Sequence, residues 1–237
     1  MSRHLNTHLC FHSLGQNPEL TRQWVLTYGN LNQSSCSVAQ LRQAILKGID
    51  TQCEWLWNNT YNSFWHEWTR CFFNQTQKDS PHINAEEYLE LVDLSLKKGA
   101  DLNAKRVHTC NLLQAALVNH DGWINQDPIN NNAYQDILKG LIKRGIDINA
   151  LDMHGESTLF LSLLTSDTQV VQLLLDHGAD PKQCNLDNKL IKLLASSDAA
   201  YGFTHECMAR IQSSQQRQEL LQHPPSQTTI KAHHPRL

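Results

Sequence analysis

Residues Leu151–Gln183 read LDMHGESTLFLSLLTSDTQVVQLLLDHGADPKQ, and this stretch decides the fold. A turn comes first, then two short apolar runs at helical spacing, then the closing triplet Gly178-Ala179-Asp180. The triplet recurs upstream as Gly145-Ile146-Asp147, Gly99-Ala100-Asp101 and Gly48-Ile49-Asp50. One pair of short antiparallel helices cannot cover its own apolar face, so copies of the unit must stack. The chain therefore reads as an all-α helical repeat solenoid.

Working outward, composition narrows the possibilities. The chain has 237 residues, 40% of them hydrophobic and 18% charged, with a net charge of −3. That balance excludes a dedicated nucleic-acid binder, which needs a strongly basic face. Its seven cysteines are scattered and odd in number, which favours free thiols in a reducing compartment over a disulfide framework. The N-terminus MSRHLNTHLCFHSLGQ has no apolar run of signal-peptide type, and no segment reaches the ~18–20 apolar residues of a membrane span. The expected location is the cytoplasm, or a host cell reached by secretion without a cleaved signal.

Along the chain, Asn17-Pro18-Glu19 opens a helix that runs to Tyr28, and Ser37–Lys47 is amphipathic and ends at Gly48. Trp57, Tyr61, Trp65, Trp68 and Phe72 are spaced so that one long helix over Cys53–Phe73 places them on a single stripe. Further helices are expected over Asn84–Lys98, Cys110–Asn119, Ala133–Arg144, Asn188–Ala195 and His205–Gln222, with an irregular insertion at His120–Asn132. Ser166-Asp167-Thr168-Gln169 reads as a capping box for the second helix of the Leu151–Gln183 unit.

These residues resemble the ankyrin-repeat family. Its unit is about 33 residues, and Gly145 and Gly178 lie 33 positions apart. Asp152 and Gly155 match the turn of the family, and Asp147–Ala150 (DINA) and Asp101–Ala104 (DLNA) match its closing run. Ser157-Thr158-Leu159-Phe160 stands where the family has Thr-Pro-Leu-His, so the bonds of that histidine are lost or remade here. The resemblance implies four to five irregular repeats with helical caps. Residues 1–36 would be an N-terminal cap, 37–195 the repeats with a long insertion near 120–132, 196–223 a C-terminal capping helix, and 224–237 a disordered tail. The divergent, Asn/Gln-rich repeats also look similar to ankyrin proteins that intracellular bacteria inject into host cells.

The resemblance further implies that a partner protein is bound by turn tips and the concave face. Carried over, that surface comprises Met153, His154, Glu156 and Thr165, with Leu151 beside them. From the preceding unit it takes Arg106, Val107 and His108, next to Lys105. Trp123, in the insertion, is a further binding candidate. The rings between Trp55 and Phe73 are either core or, at Trp55, Phe64 and Phe73, an exposed anchor. His4, His8, Cys10 and His12 lack the paired spacing of a zinc site, and His205-Glu206-Cys207 lacks the HExxH spacing. No nucleophile elbow, phosphate-cradling loop or carboxylate pair is legible, so neither catalysis nor a cofactor is expected. The alternatives weighed against an adaptor or inhibitor are a Cys-dependent hydrolase and a self-assembling structural protein.

Overall fold

The computed structural model describes residues 10–13, 17–28, 37–51, 53–57, 60–75, 84–103, 110–118, 128–164, 167–186 and 201–222. Strand β1 (Cys10–Ser13) is followed by α1 (Pro18–Tyr28), α2 (Val38–Leu46), β2 (Glu54–Trp57), β3 (Thr60–Ser63), α3 (Phe64–Gln75) and α4 (Ala85–Lys97). The chain continues with α5 (Leu112–Val118), α6 (Pro128–Lys143), α7 (Thr158–Leu164), α8 (Thr168–Asp176), a 3₁₀ turn (Pro181–Gln183) and α9 (Tyr201–Gln222). The first helices of successive pairs stack as α3, α5 and α7, and α2, α4 and α6 form a second row behind them. Helix α9 closes the far end against α7, α8 and the 3₁₀ turn. The architecture is the ankyrin-like helical solenoid that the repeat pattern implies.

Side chains from the sequence start these helices. Ser37 Oγ accepts from Gln40 N–H (3.1 Å) while Gln40 Oε1 accepts from Ser37 N–H (2.7 Å), a reciprocal box at α2. Asn111 and Gln114 form the same box at α5, with bonds of 3.0 and 2.9 Å. At α8 the cap is Asp167, whose Oδ1 accepts from the N–H groups of Gln169 and Val170. This moves the expected Ser166 box by one residue, because a carboxylate serves both donors at once; Ser166 lies outside the described residues. The helices of all four pairs end alike. The residue after each closing glycine donates five positions back, Ile49 to Ala44, Ala100 to Ser95, Ile146 to Leu141 and Ala179 to Leu174. That geometry sets φ at +92° at Gly178, where a Cβ would be strained.

Two expectations about elements are corrected. The aromatic stretch is not one helix, because β1, β2 and β3 form an antiparallel sheet in that order and α3 starts only at Phe64. Trp55 and Trp57 are two positions apart, which satisfies the period of a strand, and aromatic and β-branched residues favour strands. The second correction concerns the insertion, since Pro128–Asn132 belongs to α6, with Pro128 at the first helical position. The remainder of the insertion, the expected helix over Asn188–Ala195 and the tail after residue 223 lie outside the described residues.

The core is continuous along the stack. Behind the first pair, α1 and α2, Phe64, Trp65, Trp68 and Phe72 of α3 are buried and meet Tyr88 of α4, with Trp65 and Trp68 rings 4.9 Å apart and Phe72 and Tyr88 rings 5.0 Å apart. Phe73 carries the cluster to Tyr134 of α6. Phe64 and Phe73 are therefore core, not exposed anchors; the Trp55 side chain is outside the described set. On the outer row Arg144 donates to both carboxylate oxygens of Asp93, each at 2.7 Å, which ties α6 to α4. Arg144 holds the Asp93 carboxyl below its ordinary value.

Candidate functional site

The turns that join neighbouring pairs are held by amide side chains. Asn103 Nδ2 donates to Gly145 O (2.8 Å) and its Oδ1 accepts from Asp147 N–H (2.7 Å). Asn149 repeats this clamp one unit later, donating to Gly178 O (3.1 Å) and accepting from Asp180 N–H (2.7 Å). Asn111 and Gln114 reach the same junction from α5, donating to Asp147 O (3.0 Å) and Ala150 O (2.9 Å). Gln114 of α5 holds the position that Phe160 has in α7, and its amide makes a bond to the next turn that a ring cannot make. The Phe160 N–H goes to Ser157 Oγ of its own unit (3.1 Å), and its ring is buried.

These clamps fix the base from which the fourth turn, Leu151–Ser157 ahead of the fourth helix pair, projects. Leu151 and Ser157 pair across it. Asp152 Oδ1 accepts from His154 N–H (2.8 Å) and Glu156 N–H (2.9 Å), and Asp152 N–H donates to Glu156 O (3.0 Å). Gly155 turns the chain at φ +76°. The local sequence demands this shape, since Asp in the first position collects the N–H groups of a tight turn. At the tip Leu151 is 55% exposed and Met153 47% exposed, with His154 exposed beside them. Partial burial and the nearby Asp152 charge raise the Glu156 carboxyl above its ordinary value, opposed by His154. The Glu156 charge is also felt at Cys184, whose thiol is pushed up to about 12, chiefly by burial. The 3₁₀ turn packs against α7, which starts directly after the Leu151–Ser157 turn.

Of the sequence-derived surface, Met153, His154 and Glu156 come together on one turn, with Leu151 beside them. Thr165, Arg106, Val107, His108 and Trp123 lie outside the described residues, as do His4, His8 and the side chains of Cys10 and His12. Among the described residues no group of three or more His, Cys, Asp or Glu is arranged to hold a metal. In the His205-Glu206-Cys207 run, Cys207 is buried with its thiol pushed up to about 12, and Glu206 pairs with Arg210 at 2.8 Å. Among the described residues no helix is long and apolar enough to cross a membrane.

Two surface features escaped the sequence reading. A groove of about 390 Å³ runs between α1 and α2, with Leu20, Trp24, Ala39 and Ala44 in its walls and Gln23 and Gln43 at its rim. Leu220 and Leu221 project from the end of α9. Neither carries a motif, because both depend on how helices pack rather than on residue spacing.

No family model matches the chain, and no curated protein matches it. Among solved structures it is similar to the crystal structure of the ankyrin repeat domain of Bcl-3, described as a unique member of the IkappaB protein family. The identity is 19%, the TM-score 0.37, and the match covers 85% of this chain and 87% of that one. So loose a superposition carries no argument about partners, and the repeat reading rests on the chain's own turns and clamps.

Proposed function

We propose that the protein is an interaction module, an adaptor or inhibitor, that binds a partner protein along its turn tips and concave surface. The observation that carries this reading is the fourth turn, where an exposed apolar pair, Leu151 and Met153, stands on backbone held by Asp152 and the Asn149 clamp. Presenting contacts from pre-ordered backbone keeps the entropic cost of binding small, and Met adapts to irregular partner surfaces. The proposed surface comprises Met153, His154 and Glu156, extended by Thr165, Arg106, Val107, His108 and Trp123. The proposed binding body is 37–195, flanked by caps at 1–36 and 196–223 and a tail at 224–237.

The Asn/Gln-rich divergence of the repeats supports a finer reading, that the protein is a bacterial effector acting on host proteins in the host cytoplasm. The hydrolase alternative gains nothing from Cys184 and Cys207, since thiols raised to about 12 are poorer nucleophiles, not activated ones. Self-assembly through the aromatic end gains nothing from the described rings of α3, which are buried.

The test is affinity capture from a eukaryotic lysate with the wild type and with Met153→Ala/His154→Ala/Glu156→Ala. Loss of specific partners in the variant, with an unchanged melting temperature, supports the surface. Retention of every partner overturns it. Effector status is tested by translocation into host cells with and without residues 224–237; absence of transfer for the full chain removes that reading.

A further inference from the structure

We propose that the distal half of α9, Gln212–Gln222, is a latch over the C-terminal turn that opens while the proximal half stays docked. The two halves are attached by different forces. In the proximal half Cys207 and Ile211 are buried, and Met208 packs against the same core. Arg210 adds a clasp, donating to Gln172 Oε1 of α8 (2.9 Å) and to Glu206 Oε1 (2.8 Å).

Continued by one and two helical turns, the buried stripe should carry apolar residues at 214, 215 and 218. It carries Ser214, Gln215 and Gln218, all only half-buried, and no residue from Gln212 to Gln222 is buried. What holds this half are polar bonds. Gln215 Nε2 donates to Pro181 O (2.7 Å) and, more loosely, towards Cys184 O (3.5 Å), and Lys182 Nζ donates to Gln222 Oε1 (2.8 Å). Leu220 and Leu221, 62% and 77% exposed, add no anchorage. Apolar burial stabilises several-fold more than a part-exposed hydrogen bond, and segments with few buried apolar contacts open at low free-energy cost. The distal half is therefore the low-stability end of the helix.

Beneath it lies the turn Pro181–Gln183 with buried Pro181 and Cys184. This turn packs against α7, the helix that starts directly after the Leu151–Ser157 turn. Opening of the latch uncovers a patch beside α7, so the latch regulates how much surface the C-terminal end offers. The inference stands on the packing of α9 and does not depend on the partner reading.

Cys184 and Cys207 make it measurable. Both are buried, so each labels only when its own cover opens, and rates normalised to those of the unfolded chain report access. The experiment is maleimide labelling of the full native chain, with each cysteine resolved by peptide mass spectrometry. The expected result is that Cys184 labels at least roughly tenfold faster than Cys207. Gln215→Ala should raise the Cys184 rate about fivefold further, the loss of one hydrogen bond, and leave Cys207 unchanged. Equal rates in the wild type overturn the latch. So does a Gln215→Ala variant in which the Cys184 rate stays the same or both rates rise together.

Discussion

Two parts of the stack, the aromatic layer towards its N-terminal end and the C-terminal cap, are held by opposite means. Between the α1–α2 pair and α6, Phe64, Trp65, Trp68, Phe72 and Tyr88 bury their rings together, and the polar atoms among them are poorly served. Trp65 Nε1, Trp68 Nε1 and Glu67 Oε1 are buried with no hydrogen-bond partner. At the C-terminal end the bonds that tie α9 beyond Ile211 to the 3₁₀ turn come from an amide and an ammonium. One part fills volume and tolerates unsatisfied polar groups; the other buries little and is held by polar bonds. The first should be stable and sensitive to side-chain size, the second labile and sensitive to single hydrogen bonds.

The largest test of that contrast is Trp68→Ala. Truncating a fully buried indole leaves a cavity and should cost roughly 3–5 kcal/mol, a large share of the ~5–15 kcal/mol expected of a whole domain. Urea denaturation followed by circular dichroism measures it. Trp68→Phe should cost far less, because it keeps a ring and removes an orphaned N–H. If the Phe variant is as damaged as the Ala variant, the rings are not what holds this layer.

Next in size is Asn149→Ala, which removes both arms of the last clamp, the donor to Gly178 O and the acceptor for Asp180 N–H. The expected loss is about 1–3 kcal/mol, and Asn103→Ala should match it because its two bonds are equivalent. Denaturation of the two variants side by side gives the comparison. A negligible loss at both positions removes the clamps as the source of junction stability.

The repeat pattern was legible in the sequence because each closing triplet supplies a glycine at positive φ, and Asp101, Asp147 and Asp180 each accept from the N–H two residues on. Those demands fall on single positions, so they survive divergence. The aromatic end was misread for a physical reason. Rings at 57, 61 and 65 are four apart, which is close to a helical turn, yet they fall on β2, β3 and α3, and the hairpin register sets Tyr61 opposite Leu56. Residue type should have decided it, since Glu54–Trp57 and Thr60–Ser63 flank an Asn58-Asn59 dipeptide of turn composition. The turn tip at Met153, His154 and Glu156 was legible because it is local. The latch was not, because it depends on which side of α9 faces the stack.

A pH titration sharpens the N-terminal side. Glu67 is buried, with Arg70 Nε donating to its Oε2 at 2.9 Å, yet burial outweighs that partner and raises its carboxyl above the ordinary value of 4.5. A carboxyl raised on folding binds its proton more tightly in the native state. Its contribution is fully present below the unfolded value and is lost as pH rises through the folded one. Glu67→Gln should therefore flatten the fall in stability from about pH 4.5 upward. Melting temperatures of both proteins across that range test it. Parallel curves would mean that Arg70 or water keeps the carboxylate satisfied.

The smallest effect belongs to Lys182, which occupies in the last turn the position that Asn103 and Asn149 hold in the two before it. Asn103 and Asn149 each earn their bonds from a following turn, with its glycine carbonyl and Asp N–H. Among the described residues no such turn follows Lys182, and its ammonium reaches Gln222 of α9 in an exposed bond. Lys182→Asn restores the repeat sequence without restoring its partner. It should change global stability by less than about 0.5 kcal/mol, while Lys182→Asn combined with Gln215→Ala should loosen only Cys184. A gain above roughly 1 kcal/mol would mean that the new Asn has found a clamp partner within α9. The C-terminal cap would then be an extension of the ladder, not a departure from it, and the contrast between the two parts of the stack would fail at its C-terminal half.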